Sequence, residues 1–288
     1  MIDTDLLDGF VEAVNGVVGS GKERASVRIS ELAKKDPGEP AFQLALAMLA
    51  GFSNDFYAAQ GDVARHLDAA EADLSEKRVE MTEMNDPHLR FADAMLTVLR
   101  IQSQMIAMRD KAALALREMR RSSQAIREEK EFFATLLAML EALNMMGLTT
   151  TSKRGRTELE KLIDSDAIGD FASFALTYAY RQDGEPDRAQ EVAERLSRKH
   201  PRSVVVHELL GSIAAQRGDR DAAVEHYRNA VEAAPNSIGA LIGLSFALSR
   251  AGDNDAGRES AEKAIALDKT GRYHPYTSNA LLQSTARQ

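Results

Sequence analysis

The chain is 288 residues long, 44% hydrophobic and 28% charged, and its 36 basic against 44 acidic residues give a net charge of −8; this globular usage excludes wholesale disorder. Glycine (18) and proline (7) are scarce, alternating Val/Ile/Thr runs are missing and cysteine is absent, which excludes β-sandwiches and barrels, disulfide scaffolds, thiolate metal sites and cysteine nucleophiles. The acidic balance disfavours nucleic acid as a partner, no apolar run approaches the about 18 residues of a membrane span, and the acids of Met1 to Asp8 stand where a secretion signal carries bases, so the expected location is the cytoplasm, without membrane insertion.

In chain order, residues 6–39 read as a helical hairpin with Gly19-Ser20-Gly21 at its turn, followed by Ala25, Ile29, Leu32 and Pro37. The stretch Gly16-Val-Val-Gly-Ser-Gly21-Lys22 also has the glycine and lysine spacing of a phosphate-binding loop, whose backbone amides and lysine cradle a triphosphate. Its context argues for a turn instead. Glu23 stands where a Ser or Thr would hold magnesium, and the residues before it read as an amphipathic helix rather than a strand.

From Pro40 onward the apolar spacing predicts helix pairs of unequal length: 41–52 with 55–80, 88–108 with 110–127, and 129–146 with 157–166. All eleven methionines lie in residues 1–146. Met48, Met95, Met105, Met139 and Met145 have apolar neighbours, so they read as gap-fillers of an irregular core rather than an adaptable binding surface. Arg117, Arg120, Arg121 and Arg127 interleave with Glu118, Glu128 and Glu129, the pattern of a solvated face. Leu148 to Arg156 reads as an exposed loop that offers Lys153, Arg154 and Arg156 to an acidic partner, and Thr157 with Glu160 is expected to form a capping box restarting the helix. Two readings of residues 1–169 stay open: degenerate hairpins continuing one superhelix, or a separate helical domain.

Beyond residue 170 a shift of 34 places Gly184 over Gly218 over Gly252, and Pro201 over Pro235. It also aligns Leu176, Leu210 and Leu244; Tyr180, Ala214 and Leu248; Ala189, Ala223 and Gly257; and Leu196, Ala230 and Ala264. Apolar residues fall at helical spacing on both sides of each glycine, so each unit is two helices around a tight turn. Glycine permits the left-handed residue that ends the first helix, and Glu185, Asp219 or Asp253 suits the positive start of the second. The small residues at Ala189 and Ala223 let paired helices approach closely.

This pattern resembles the tetratricopeptide repeat family. Unit 204–237 matches best, with Leu210-Gly211, Ala223, Tyr227, Ala230 and Pro235; it departs in having His207 where a bulky aromatic opens the motif and Ala214 where a tyrosine is usual. Unit 170–203 has Thr177 for the glycine, and unit 238–271 has Gly257 for the alanine and Lys269 for the proline. The resemblance implies an all-α, right-handed α-solenoid of antiparallel helical hairpins: an irregular region 1–169, three repeats over 170–271, and a capping helix within 272–288, from Ser278 to Ala286.

Catalytic chemistry finds no support. His207-Glu208-Leu-Leu-Gly211 begins like a zinc-protease helix, but Gly211 replaces the second histidine, so His207 is expected in the core. Asp253 to Gly257 has only a fragment of a calcium loop and reads as a repeat turn. The expectation is a non-enzyme with no cofactor and no metal.

In the resembled family the first helix of each hairpin lines a concave groove that takes partner peptides. The residues left there after packing positions are assigned are Phe171, Phe174, Tyr178 and Arg181, then Val205, Glu208 and Ser212, then Gly239, Ile242 and Phe246. Phe174, Glu208 and Ile242 replace the Lys, Arg and Asn of the members that grip a terminal carboxylate, so no such clamp is expected. The reading is an adaptor, assembly factor or chaperone binding a protein or peptide in an apolar groove. The alternatives are a self-associating homo-oligomeric scaffold and, more remotely, a nucleotide-binding regulator.

Overall fold

The computed structural model describes residues 16, 18–19, 22–51, 56–77, 85–103, 109–126, 130–146, 152–165, 168–269, 271 and 273–285. Among them are fourteen helices and no strand: α1 Lys22–Lys35, α2 Pro40–Gly51, α3 Phe56–Glu76, α4 Pro87–Ser103, α5 Arg109–Ala125, α6 Lys130–Met146, α7 Ser152–Glu160, α8 Gly169–Gln182, α9 Pro186–Lys199, α10 Val204–Arg217, α11 Arg220–Ala233, α12 Ile238–Ala251, α13 Asn254–Leu267 and α14 His274–Thr285. The fold class is an all-α solenoid of helical hairpins. The chain divides into two compact units, residues 1–175 and 176–288, the border falling inside α8, just past the place where the 34-residue period begins.

In the first unit, each helix packs on its chain neighbour, and α2, α4 and α6 also pack on one another in succession. The reason is visible in the spacing of buried residues. Helix α1 buries Ala25, Ile29 and Leu32, and α3 buries Val63, Leu67, Ala70 and Leu74, each a single stripe. Helix α2, by contrast, is buried nearly all round from Leu44 to Ala50, as a helix covered on both sides must be. Polar ties fix the helix ends. Glu39 is buried, accepts the Ala41 N–H at 3.2 Å and pairs with Lys77 at 3.4 Å, joining the start of α2 to the end of α3. Arg100 of α4 reaches Asp68 at 2.9 Å and also Glu71, both on α3. Met48, Met95 and Met139 are buried as gap-fillers, whereas Met105 and Met145 lie outside the residues whose side chains are described.

Three expectations for this unit are corrected. The segment expected as an exposed loop is helical from Ser152, with Arg156 only 6% exposed and holding its own contacts, so only Lys153 and Arg154 of that basic group face solvent. Thr157 does not cap a helix: it sits inside α7 and its hydroxyl donates to the Lys153 carbonyl at 3.1 Å, because the helix had already begun one turn earlier. Phe171 and Phe174, assigned to an open groove, are 0% and 2% exposed. They stand in the part of α8 that belongs to the first unit's core. The glycine-rich turn at Ser20-Gly21 lies outside the described residues, as does Arg127.

The second unit repeats one local device. At Gly218 (φ +80°) helix α10 ends; the Asp219 N–H then bonds back to the Ala214 carbonyl at 2.9 Å, and its carboxylate accepts the Ala222 N–H at 3.1 Å to start α11. One residue thus closes one helix and caps the next. Gly252 and Asp253 repeat this between α12 and α13, with the carboxylate on the Ala256 N–H at 3.2 Å. The expected fragment of a calcium loop is this turn. Ser203 and Ser237, just after Pro201 and Pro235, cap α10 and α12 through the N–H groups of Val206 and Ala240, each at 3.3 Å. The second helices bury narrow stripes of mostly small residues, Ala189 and Ala193 with Leu196 in α9 and Gly257, Ala261 and Ala264 in α13. The capping helix α14 begins at His274, four residues before the expected start, and buries Thr277, Ala280 and Ser284.

Candidate partner-binding groove

Helices α10, α12 and α14 pack against one another in succession, so residues at matching places on them share one side of the second unit. The C-terminal part of α8 joins this row, since Gln216 of α10 donates to the Arg181 carbonyl at 3.1 Å. The sequence-assigned residues Tyr178, Arg181, Val205, Glu208, Ser212 and Phe246 are all partly exposed, and Gly239 is exposed. Ile242 is 8% exposed and belongs to the core with Leu241 and Ala264. Phe246 rests on that core, as do Ile238, Tyr273 and Tyr276. Ser212 is turned to its own helix, its hydroxyl donating to the Leu209 carbonyl at 2.8 Å.

Glu208 faces the start of α12. Its Oε1 accepts from the Ser237 hydroxyl at 3.4 Å, and a Cβ on Gly239 would lie 3.3 Å from the same oxygen. The free N–H groups of a helix start favour a carboxylate there. Arg181 lies over the ring of Tyr178, its guanidinium carbon 5.0 Å from the ring centre, which is a cation–π arrangement.

Two residues here escaped the sequence reading. Tyr227 of α11 was placed only as packing, yet its ring is wedged between α10 and α12: a Cβ on Gly211 would lie 2.8 Å from it and one on Gly243 2.2 Å. Its phenol is pushed up to about 12, first by burial and then by Glu208, while Arg181 and Arg250 pull the other way. Arg250 was missed because it follows the apolar run of α12; it is exposed near the end of that helix. The sequence signal was the pair Gly211 and Gly243, which leave room for one aromatic ring between them.

Behind this face His207 is buried, as expected, with its Nε2 3.0 Å from the Pro201 carbonyl. Its ring stacks on that of His226, centroids 6.1 Å apart and planes at 29°. Among the described residues no group of three or more His, Asp or Glu is placed to hold a metal ion, and no helix is long and apolar enough to cross a membrane.

A family model described as tetratricopeptide repeat matches residues 174–238. Human IFIT1, as its dimer with m7Gppp-AAAA, superposes with a TM-score of 0.53 at 14% identity, over 99% of this chain and 80% of that chain. Its dimer with PPP-AAAA gives 0.51 at 14% identity over the same shares, 99% and 80%. A tetratricopeptide repeat protein from Parabacteroides merdae gives 0.48 at 12% identity, over 98% of this chain and 99% of that one. No curated protein matches the chain. At such identities the likeness is one of fold.

Proposed function

We propose that the chain, whose residues 174–238 match a tetratricopeptide-repeat model, is a non-catalytic interaction module, an adaptor, assembly factor or chaperone, binding a segment of a partner protein along the side formed by α8, α10 and α12. One observation carries the reading: Tyr178, Val205, Glu208 and Phe246, on three successive first helices, stay partly exposed while the residues around them are buried. Large apolar side chains usually end buried, so a row that leaves Tyr178, Val205 and Phe246 half-covered marks a surface that gains by being covered. IFIT1 is seen with m7Gppp-AAAA and PPP-AAAA; here the net charge of −8 and the carboxylate of Glu208 within the groove favour a protein segment over a polyphosphate.

The test is photo-crosslinking in native lysate from a probe residue placed at Val205 or at Ser212, against one at the exposed Glu225 on α11. Partner adducts formed from the first two positions and not from the third support the reading. Adducts equal at all three, or absent from the groove positions, overturn it.

A further inference from the structure

Four large apolar side chains stand exposed among the described residues: Val27, Leu114 (65%), Ile265 and Leu282 (66%). Their surroundings differ. Three or four residues away, Val27 has Arg24 and Glu31, Leu114 has Lys111, Arg117 and Glu118, and Ile265 has Glu262 and Asp268. Charged side chains lay their aliphatic stems over such a residue and keep their heads in water, so those three sit on solvated faces. Leu282 has Ser278, Asn279 and Thr285 at the same spacings and no such cover.

The rest of α14 agrees. It buries Thr277, Ala280 and Ser284 against α12 and α13, and its opposite face exposes Pro275, Asn279 and Leu282. Of the described helices only α2 and α14 have no Asp, Glu, Lys or Arg. Helix α2 is buried nearly all round, whereas α14 ends the row α10, α12, α14, and the end of a repeat stack normally turns a polar face outward. A face depleted of charge, with a leucine ringed by Ser, Asn and Thr, has the make-up of an interface rather than of an open end. Charge also says what covers it. Residues 176–288 hold 15 acids against 15 Lys and Arg, so the whole net charge of −8 lies in residues 1–175, and two second units can meet at α14 without net repulsion. In a two-fold pair the residues at the axis face their own copies, so the contact must be self-complementary. Uncharged Asn279 and Leu282 meet that condition, and the cations around Leu114 do not.

We infer that two copies of the chain pair through the outer face of α14, with Leu282 of each packed against the α14 of the other about a two-fold axis. A helix of 12 residues is about 18 Å long, so the contact is small and the pairing reversible, with a dissociation constant on the order of 10–100 µM.

The experiment uses the full chain, which has no cysteine, so an introduced thiol is the only one present. Asn279→Cys and, as an equally exposed control, Leu114→Cys are oxidised mildly and run on a non-reducing gel. The expected result is a covalent dimer forming about tenfold or more faster from position 279. Sedimentation velocity reads the association without a bond: wild type passes from monomer toward dimer between about 1 and 300 µM. Leu282→Glu, which sets two carboxylates against each other at the axis, raises the dissociation constant about tenfold or more, and Leu114→Glu leaves it unchanged. Circular dichroism and melting check the fold of each variant, and Asn279→Glu, at an exposed position, replaces Leu282→Glu if that variant fails to fold. Equal crosslinking at the two positions, or a dimer that survives Leu282→Glu and Asn279→Glu, overturns the inference. A wild type that stays monomeric throughout also overturns it and leaves the face to a different protein. The groove reading stands in every case.

Discussion

The ring of Tyr227 occupies the place that a side chain on Gly243 would need, a Cβ there lying 2.2 Å from ring atom Cε1. Gly243 is in the middle of α12, where replacing glycine by alanine in an open helix would stabilise by about 1 kcal/mol. Here the ring cannot retreat, because Gly211 closes on its other side at 2.8 Å. Gly243→Ala is therefore expected to destabilise the second unit by about 1–3 kcal/mol, read as a fall in the urea midpoint. Combining it with Tyr227→Leu should recover part of the loss; a Gly243→Ala variant more stable than wild type would remove the wedge from the account.

Gly257 replaces the alanine expected in its repeat, and the packing says why. A Cβ there would lie 2.6 Å from the Ser249 hydroxyl and 3.1 Å from the Ser245 carbonyl. Ser249 Oγ is itself buried without a hydrogen-bond partner. Gly257→Ala alone should destabilise by about 1–2 kcal/mol through crowding, Ser249→Ala alone should be nearly neutral or stabilising, and the two together should couple favourably by about 0.5 kcal/mol or more. A double-mutant cycle in urea measures that coupling, and strict additivity would show that the contact is relieved elsewhere.

The 34-residue period was legible because its cause is local. A left-handed glycine, the acid after it and the serine before the next helix each act within one turn, and Gly218, Asp219 and Ser237 do what their types predict. The same logic failed at Thr157, where a correct capping pattern was outcompeted by a helix that had started at Ser152. It failed differently at Phe171 and Phe174. Position in a repeat tells which way a side chain points, but not whether something already lies there, and those two residues fill the core of the first unit. Tyr227 was missed for a related reason: Gly211 and Gly243 mark room for a ring, but which side chain fills it is set by the packing of neighbouring repeats.

Asp219 and Asp253 cap their helices through a single carboxylate each, at 3.1 and 3.2 Å from the receiving N–H groups. Asp219→Ala and Asp253→Ala should each destabilise by about 1 kcal/mol. Asp→Asn at either place should lose much less, since the amide oxygen still accepts the hydrogen bond. Equal losses from Ala and Asn would assign the effect to charge at the helix start rather than to the cap.

His226 gives the second unit a pH dependence of definite sign. Its pKa is lowered, first by burial and then by the neighbouring His207, while Glu225, Glu194 and Asp219 oppose the shift without cancelling it. The stacked arrangement explains the difficulty of charging it: both Nδ1 atoms are buried without a hydrogen-bond partner, and a second proton would sit against another imidazole. The folded chain therefore binds this proton less readily than the unfolded one. Stability is fully present above the ordinary histidine value near 6.5 and falls as pH drops below it toward the folded-state pKa. His66 in the first unit is lowered too, by burial and then by Arg65 against Asp62, so the comparison must isolate one residue. Urea midpoints of wild type and His226→Asn at several pH values between about 7.5 and 5.5, above the carboxylate range, should show a steeper acid-side decline in wild type. Parallel curves would mean that the imidazole pair accepts its proton in place, and that the bare Nδ1 atoms carry no penalty.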